Sequence, residues 1–187
     1  TKLRIVHTEA SRGWGGQEIR ILTEAEGMIR RGHEVTLLCP REAQIFEEAL
    51  LRDVPAVALP IGRKNIAGLR ALTRWLRANP VDVLNMHSST DSWLAALAAL
   101  ALANPPPLVR TRHISAPIPR NWPTRWLYTR ATARIVTTGE ALRQELITRN
   151  RFLAERIISI PTGIDTGYFV PGNQAAARAQ LGLAPEG

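Results

Sequence analysis

The sequence predicts an α/β fold, a doubly wound parallel sheet of about seven strands with helices on both faces. Three observations carry this expectation. Short runs rich in Val, Ile and Leu alternate with segments whose apolar residues recur at helical spacing. Glycine and proline punctuate nearly every junction. The first apolar run passes through a glycine-rich turn, Gly13-Trp14-Gly15-Gly16, straight into a helical pattern.

Each element has its own local reason. Leu3 to His7 reads as the first strand. Gln17 to Arg31 reads as a helix, with Ile21, Leu22, Ala25, Met28 and Ile29 on one stripe and Gly32 as a left-handed stop. Glu34 to Cys39 is a second strand, ended by Pro40. Glu42 to Leu51 is helical, and Ala56 to Leu59 is a short strand between Pro55 and Pro60. Ile66 to Ala78 is a helix with Leu69, Leu72 and Leu76 on one face. Val81 to Met86 is a buried strand. Ser89 to Ala103 is a helix rich in alanine and leucine, closed by Asn104 and the prolines after it. Leu108 to Arg112 is a strand, Ile114 to Trp122 is broken by prolines, and Thr124 to Ala131 is helical. Ala133 to Thr137, Glu140 to Arg149 and Ile157 to Ile160 complete the alternation, and Asn173 to Leu181 is a short terminal helix. Strands separated by helices pair in parallel through right-handed crossovers.

The 187 residues suit one domain, and the net charge of +8 comes almost wholly from arginine, since lysine occurs only at Lys2 and Lys64. Such a surface favours anionic partners. Cys39 is the sole cysteine and can form no internal disulfide, which fits a reducing compartment. The chain opens on a strand rather than a basic-then-apolar signal, and its longest apolar stretch, Trp93 to Ala103, is too short to span a bilayer. A cytoplasmic location is expected.

In a doubly wound sheet, ligands bind beyond the carboxyl ends of the strands. Gly13, Gly15 and Gly16 let the backbone approach a ligand closely, and the helix after them directs N–H groups and a positive dipole end at that place. A phosphate or diphosphate suits it. The spacing is not the dinucleotide fingerprint, because Glu18 stands where its final glycine would be. His87 and His113 each end an apolar strand and are followed by Ser88-Ser89 and by Ser115. A histidine at such a rim can donate to a sugar hydroxyl or a phosphate oxygen. Asp91 either binds a hydroxyl or caps the helix that follows. His33, on the opposite rim, has no assigned role. Close histidine spacing and cysteine pairs are both lacking, so no metal is expected. The segment Arg120 to Arg130 interleaves arginines with Trp122, Trp126 and Tyr128; it suits contact with an anionic membrane surface through Arg120, Trp122, Arg125, Trp126 and Arg130, base stacking, or ordinary packing with aromatics inward.

Several motifs, in order along the chain, resemble the N-terminal domain of a GT-B glycosyltransferase of retaining family 4. They are Gly15-Gly16-Gln17-Glu18 after the first strand, Ile29-Arg30-Arg31-Gly32-His33-Glu34-Val35, and Asp82 to His87. They continue with Val109-Arg110-Thr111-Arg112-His113, Ile135 to Leu142, and Ile160-Pro161-Thr162-Gly163-Ile164-Asp165 with Phe169 and Pro171. Thr138 and Thr162 depart from the family's usual serine and asparagine. The resemblance implies a Rossmann-like domain over 1–165, one half of a GT-B architecture, with 166–187 beginning an interdomain linker and a C-terminal donor-binding domain lying outside this chain. It implies transfer from a nucleotide-diphosphate sugar to a glycan or lipid-linked acceptor of the cell-surface polysaccharide or lipopolysaccharide type, no cofactor, and a fragment that is inactive alone. It implies His113 as the catalytic histidine, and Gly15, Gly16, Gln17, His87, Ser89, Asp91, Ser115, Thr138 and Gly163 as substrate contacts. The alternatives are half of a nucleotide-dependent epimerase or dehydrogenase, and a non-enzymatic basic domain that binds membrane or nucleic acid. Nucleic acid is not the expected partner, and any membrane contact would be peripheral.

Overall fold

A computed structural model describes residues 1–184. Seven parallel strands form one sheet: β1 (Arg4–Thr8), β2 (Glu34–Cys39), β3 (Ala56–Ala58), β4 (Val83–Met86), β5 (Leu108–Arg112), β6 (Arg134–Thr137) and β7 (Ile157–Ser159). Their order is β3-β2-β1-β4-β5-β6-β7. The chain therefore walks outward from β1 in one direction, returns, and walks outward from β4 in the other. The crevice between the carboxyl ends of β1 and β4 is the topological switch point, where such sheets bind ligands.

The helices are α1 (Gly16–Arg30), α2 (Gln44–Leu51), α3 (Ile66–Ala78), α4 (Ser89–Leu100), α5 (Trp122–Trp126), α6 (Glu140–Thr148) and α7 (Gln174–Gln180). They cover two separate apolar cores. One gathers Ile5, Val35 and Leu37 of the sheet with Ile21 and Leu22 of α1 and Ile45 of α2. The other gathers Leu84, Met86 and Leu108 with Leu72 of α3 and Leu94 of α4. Leu72 and Leu22 are wholly buried, and truncating either to alanine costs about 2–5 kcal/mol. Two glycines are required by geometry. Gly32 ends α1 at φ +86. A side chain on Gly68 would stand 2.7 Å from the Pro60 carbonyl, so α3 reaches the strand exit only because that position is bare.

The expected elements are all present, with shifted ends. β1 runs one residue later than expected, and α2 begins at Gln44 rather than Glu42, because Pro40 and Ala43 first close a turn. α4 stops at Leu100, three residues early. The helix expected at 124–131 is α5 followed by a wider π turn over Leu127–Ala131. There Thr132 bonds back to the Leu127 carbonyl through both its backbone N–H, at 3.1 Å, and its hydroxyl, at 2.8 Å. This extra residue rotates Tyr128 inward, where its ring stacks on Phe152 at 5.0 Å. A short 3₁₀ turn, Ala154–Arg156, precedes β7 and has no counterpart in the sequence reading.

Candidate functional site

The switch point is built around three imidazoles. His7 on β1 and Asn85 on β4 are register partners, as are Asn85 and Val109 on β5. Side chains two residues apart on a strand share a face, so His7, Asn85, His87, Thr111 and His113 lie on one face of the sheet. The Thr111 hydroxyl donates to Asn85 Oδ1 at 2.9 Å. One row further toward the rim, His7 Nδ1 meets His87 Nε2 at 2.8 Å, and His87 Nδ1 meets His113 Nε2 at 2.9 Å. His7 and His87 are buried and stacked at 5.1 Å between ring centroids. His113 is half-buried at the mouth. Burial holds His7 and His113 down at about 4, Arg20 adding to the effect on His113. His87 is pushed well below the ordinary imidazole value, first by burial and then by its two histidine neighbours, Arg20 and Arg110. The row is therefore neutral near pH 7.

Two carboxyls lie in the same buried region. Glu9, wholly buried, accepts the Ser11 N–H at 2.7 Å and the Gln17 side-chain amide. Burial, with the Asp91 charge second, raises it to about 8. Asp91 is also wholly buried. Its oxygens accept the Thr8 hydroxyl at 2.8 Å, the His87 N–H at 3.0 Å and the Ser88 N–H at 2.8 Å, and Ser88 and Asp91 form a capping box at the start of α4. Of the two roles open to Asp91 in the sequence, the structure fills the cap: its carboxylate is enclosed and committed, and no oxygen faces the cleft.

A cleft of about 350 Å³ opens beside this row. Gln17, His87, Ser89 and His113 line it together, as do Lys64, Arg110, Arg112 and Tyr128, and no Asp or Glu is among its lining residues. Arg110 is buried, its guanidinium 4.8 Å from the centre of the Tyr128 ring. Its Nε has no hydrogen-bond partner. Arg112 donates to the Tyr128 hydroxyl at 2.8 Å and to the carbonyls of Ile114 and Ala116, which fixes the loop after β5. Lys64 reaches Ser89 Oγ at 3.3 Å.

The glycine turn stands next to this cleft. Gly15 is the N-cap of α1 and no side chain caps the helix, so its first-turn N–H groups face outward. Gly16 is exposed. The Pro161–Asp165 exit is drawn to the same helix by Arg20. That buried guanidinium donates to Thr162 Oγ1 and to the Ile160 carbonyl, each at 2.9 Å, while pairing with Glu24 at 2.6 Å. The two turn motifs at opposite ends of the sequence thus meet through one side chain. Gly163 is exposed beside that contact. Thr138 touches the His113 carbonyl at the long distance of 3.5 Å. Ser115 is exposed on the fixed loop, outside the lining of the cleft.

The Arg120–Arg130 segment divides. Trp122 is 77% exposed, but Trp126 packs into the core against Trp93, with ring centroids 6.2 Å apart. Trp126 is therefore half-buried, its ring held against Trp93 of α4 rather than free at the surface. A second hollow of about 530 Å³ lies next to Trp122, lined by Arg120, Arg125, Arg149 and Arg151. Among the described residues no cluster of His, Cys, Asp and Glu could hold a metal ion, and no helix is long and apolar enough to cross a membrane. Cys39 is buried and its thiol is pushed up to about 12 by burial. His33 accepts the Leu3 N–H at 3.2 Å, a structural bond at the other rim.

Sequence reasoning missed His7, Glu9, Arg20 and Arg110. His7 and Glu9 were legible as a period-two polar pair at the end of a buried strand. Arg110 was legible as a charge inside an apolar run. Arg20 carried no signal, since its partner lies 142 residues away.

Comparison with known proteins places this architecture. The model of Glycosyltransferase Family 4 matches residues 14–168. A D-inositol 3-phosphate glycosyltransferase from Nocardia farcinica is 29% identical over 152 residues, covering 80% of this chain and 30% of its own length. A glycosyltransferase from Rickettsia africae shares the fold with a TM-score of 0.77 at 15% identity, over 98% of this chain and 50% of its own. An Anabaena protein solved in complex with UDP-glucose gives 0.71 at 17% identity, over 96% and 50%. The chain thus spans half or less of the length of these proteins.

Proposed function

The chain belongs to glycosyltransferase family 4, and from that premise we propose that it is the acceptor-side half of an enzyme that transfers a sugar from a nucleotide-diphosphate sugar to a glycan or lipid-linked acceptor. The observation that carries the reading is the meeting of three features at the switch point: an uncapped helix start behind Gly15 and Gly16, a neutral histidine at the mouth, and a basic cleft between them. In this reading the backbone N–H groups at Gly15 to Gln17 face the donor diphosphate. His113 hydrogen-bonds the transferred sugar, and Gln17, His87 and Ser89 border the acceptor. Thr138, Ser115 and Gly163 bound the site without a contact as direct. The donor-binding half belongs to the full-length protein, and residues 166–187 begin the connection to it.

The cleft also supports an acceptor with an anionic group. Lys64, Arg110 and Arg112 face it with no carboxylate among the lining residues. The Nocardia relative carries the name D-inositol 3-phosphate glycosyltransferase, which includes a phosphate ester. A second feature favours a lipid-linked acceptor: exposed Trp122 beside Arg120, Arg125, Arg149 and Arg151 suits the headgroup layer of an anionic membrane.

The test is nucleoside-diphosphate release by the full-length protein, with a panel of nucleotide-diphosphate sugars and acceptors with and without a phosphate. Acceptor-dependent release that falls about 100-fold or more in His113→Ala, without loss of folding, meets the expectation for a lost transition-state donor. Donor binding with no acceptor-dependent release, or an unchanged His113→Ala rate, overturns the assignment.

A further inference from the structure

His87 spends both ring nitrogens inside the row of imidazoles, 2.8 Å from His7 and 2.9 Å from His113. A neutral imidazole offers one N–H and one lone pair. Each contact needs one donor and one acceptor, so the tautomers of all three rings are locked together and only two orders exist. In the inward order, protons sit on Nε2 throughout; His113 donates to His87, His87 to His7, and His7 is left with a buried N–H at Nε2. In the outward order, protons sit on Nδ1 throughout; His7 donates to His87, His87 to His113, and His7 is left with a buried lone pair at Nε2. His7 Nε2 is fully enclosed and has no hydrogen-bond partner. The two orders therefore differ in which orphan is buried. A buried N–H without an acceptor is the rarer situation in proteins, and an under-used acceptor the more tolerated one.

We infer that His7 and His87 are positioning residues that hold His113 in the Nδ1–H tautomer, so that it meets the substrate as a fixed hydrogen-bond donor rather than as a base. The dead end at His7 Nε2 does the selecting, because the row has no proton acceptor beyond it. His113 borders the cleft and its Nδ1 makes no hydrogen bond within the described chain, so that nitrogen is free for a substrate oxygen. The charged groups around the row reinforce neutrality. Arg20 and Arg110 oppose protonation of His87, and Arg20 that of His113. Of the neighbouring carboxyls, Glu9 is held toward its neutral form, and Asp91, although raised in the same direction, is occupied with Ser88, Thr8 and the His87 backbone. The arrangement also gives a polarised donor, since hydrogen bonds in a chain strengthen one another.

The inference rests on reading His113 as the substrate-facing residue, but its first test does not need activity. Nitrogen-15 NMR of the histidine-labelled chain at pH 7 distinguishes Nδ1–H from Nε2–H rings by their shifts and couplings. The expected result is three neutral Nδ1–H rings, against the Nε2–H form that free histidine favours. Nε2–H at His113 in the folded chain overturns the inference and leaves the proposed function standing. The second test uses His7→Asp and His7→Leu. Aspartate offers a carboxylate acceptor where the His7 Nδ1–H stood, so His87 should turn its proton to Nε2 and His113 should follow to Nε2–H, with kcat of the full-length protein falling about 10-fold while acceptor KM stays within 2-fold. Leucine only moves the dead end to His87 Nε2, where a buried lone pair is again the more tolerated orphan, so His113 should stay Nδ1–H and the loss in kcat should be smaller than with aspartate. An unchanged His113 tautomer in His7→Asp, or equal losses in the two variants, overturns it. If a variant fails to fold, the wild-type tautomer decides the question.

Discussion

Replacing Glu9 by glutamine should make the protein more stable in mild alkali and remove a pH dependence that the wild type carries. Glu9 is wholly buried and accepts two neutral N–H donors, and it forms none of the ion pairs found among the described residues. Burial raises its carboxyl from 4.5 to about 8. A folded-state value above the unfolded one means that the native protein binds the proton more tightly. The stability linked to that proton is fully present below pH 4.5 and is lost as pH rises to about 8. The interval is 8 − 4.5 = 3.5, and at about 1.4 kcal/mol for each it corresponds to roughly 5 kcal/mol as an upper bound, a large share of a domain's 5–15 kcal/mol. The histidines act in the opposite sense. His7 and His113 are lowered to about 4, so their stability is present above pH 6.5 and is lost as pH falls toward 4. Their effect is common to wild type and Glu9→Gln and cancels in the difference between the two. Urea unfolding of both at pH 5, 6, 7 and 8.5 measures that difference. Glu9→Gln should gain on the wild type steadily across the series, by about 3 kcal/mol or more in total. Parallel curves would show that Glu9 titrates normally in the folded state and that the rim is wetter than its burial implies.

Asp91→Ala should cost about 3–5 kcal/mol in a urea or thermal melt, because the Thr8 hydroxyl and the N–H groups of His87 and Ser88 lose their acceptor in a buried place; a loss under 1 kcal/mol would return the carboxylate to a role in the cleft. On vesicles, the protein should bind only when anionic lipid is present, weaken between 50 and about 300 mM salt as exposed charges are screened, and lose most of its binding on Trp122→Ala. Trp126→Ala should instead lower the melting temperature, since that ring is half-buried against the core; indifference to anionic vesicles at low salt would favour a soluble acceptor.

The sheet was legible in the sequence because burial on both faces leaves an unmistakable pattern. β2 and β5 match their apolar runs end for end, and α3 matches its Leu69, Leu72 and Leu76 stripe. What failed was local geometry that depends on distant packing. Nothing between Thr124 and Ala131 marks a π turn; it forms because Thr132 finds the Leu127 carbonyl and Tyr128 finds Phe152. The same limit explains the site. His87 and His113 were visible as strand ends, one residue type at a time. Their contact with each other and with His7 depends on the register of β1, β4 and β5, and spacing along the chain does not encode register. Trp126 shows the reverse error, since an aromatic among arginines reads as interfacial until its partner Trp93 is placed beside it.

The buried groups at the rim share one electrostatic direction. Three imidazoles are held below their usual values and two carboxyls above theirs, so the ionisable side chains under the cleft are driven toward neutrality. Arg20 and Arg110 place two buried guanidiniums beside them: Arg20 pairs with Glu24 away from the cleft, and Arg110 lies against the Tyr128 ring. A site built this way has a fixed positive potential and few groups that can neutralise it by moving a proton. On the proposed reading, negative charge grows on the departing diphosphate as the sugar bond breaks. Preorganised dipoles and cations stabilise such charge best where water is excluded and nothing must reorient. A histidine that could accept a proton would weaken that field by taking up charge of its own. Locking His113 as a neutral donor, through the His87 and His7 rings behind it, keeps the potential aimed at the leaving group.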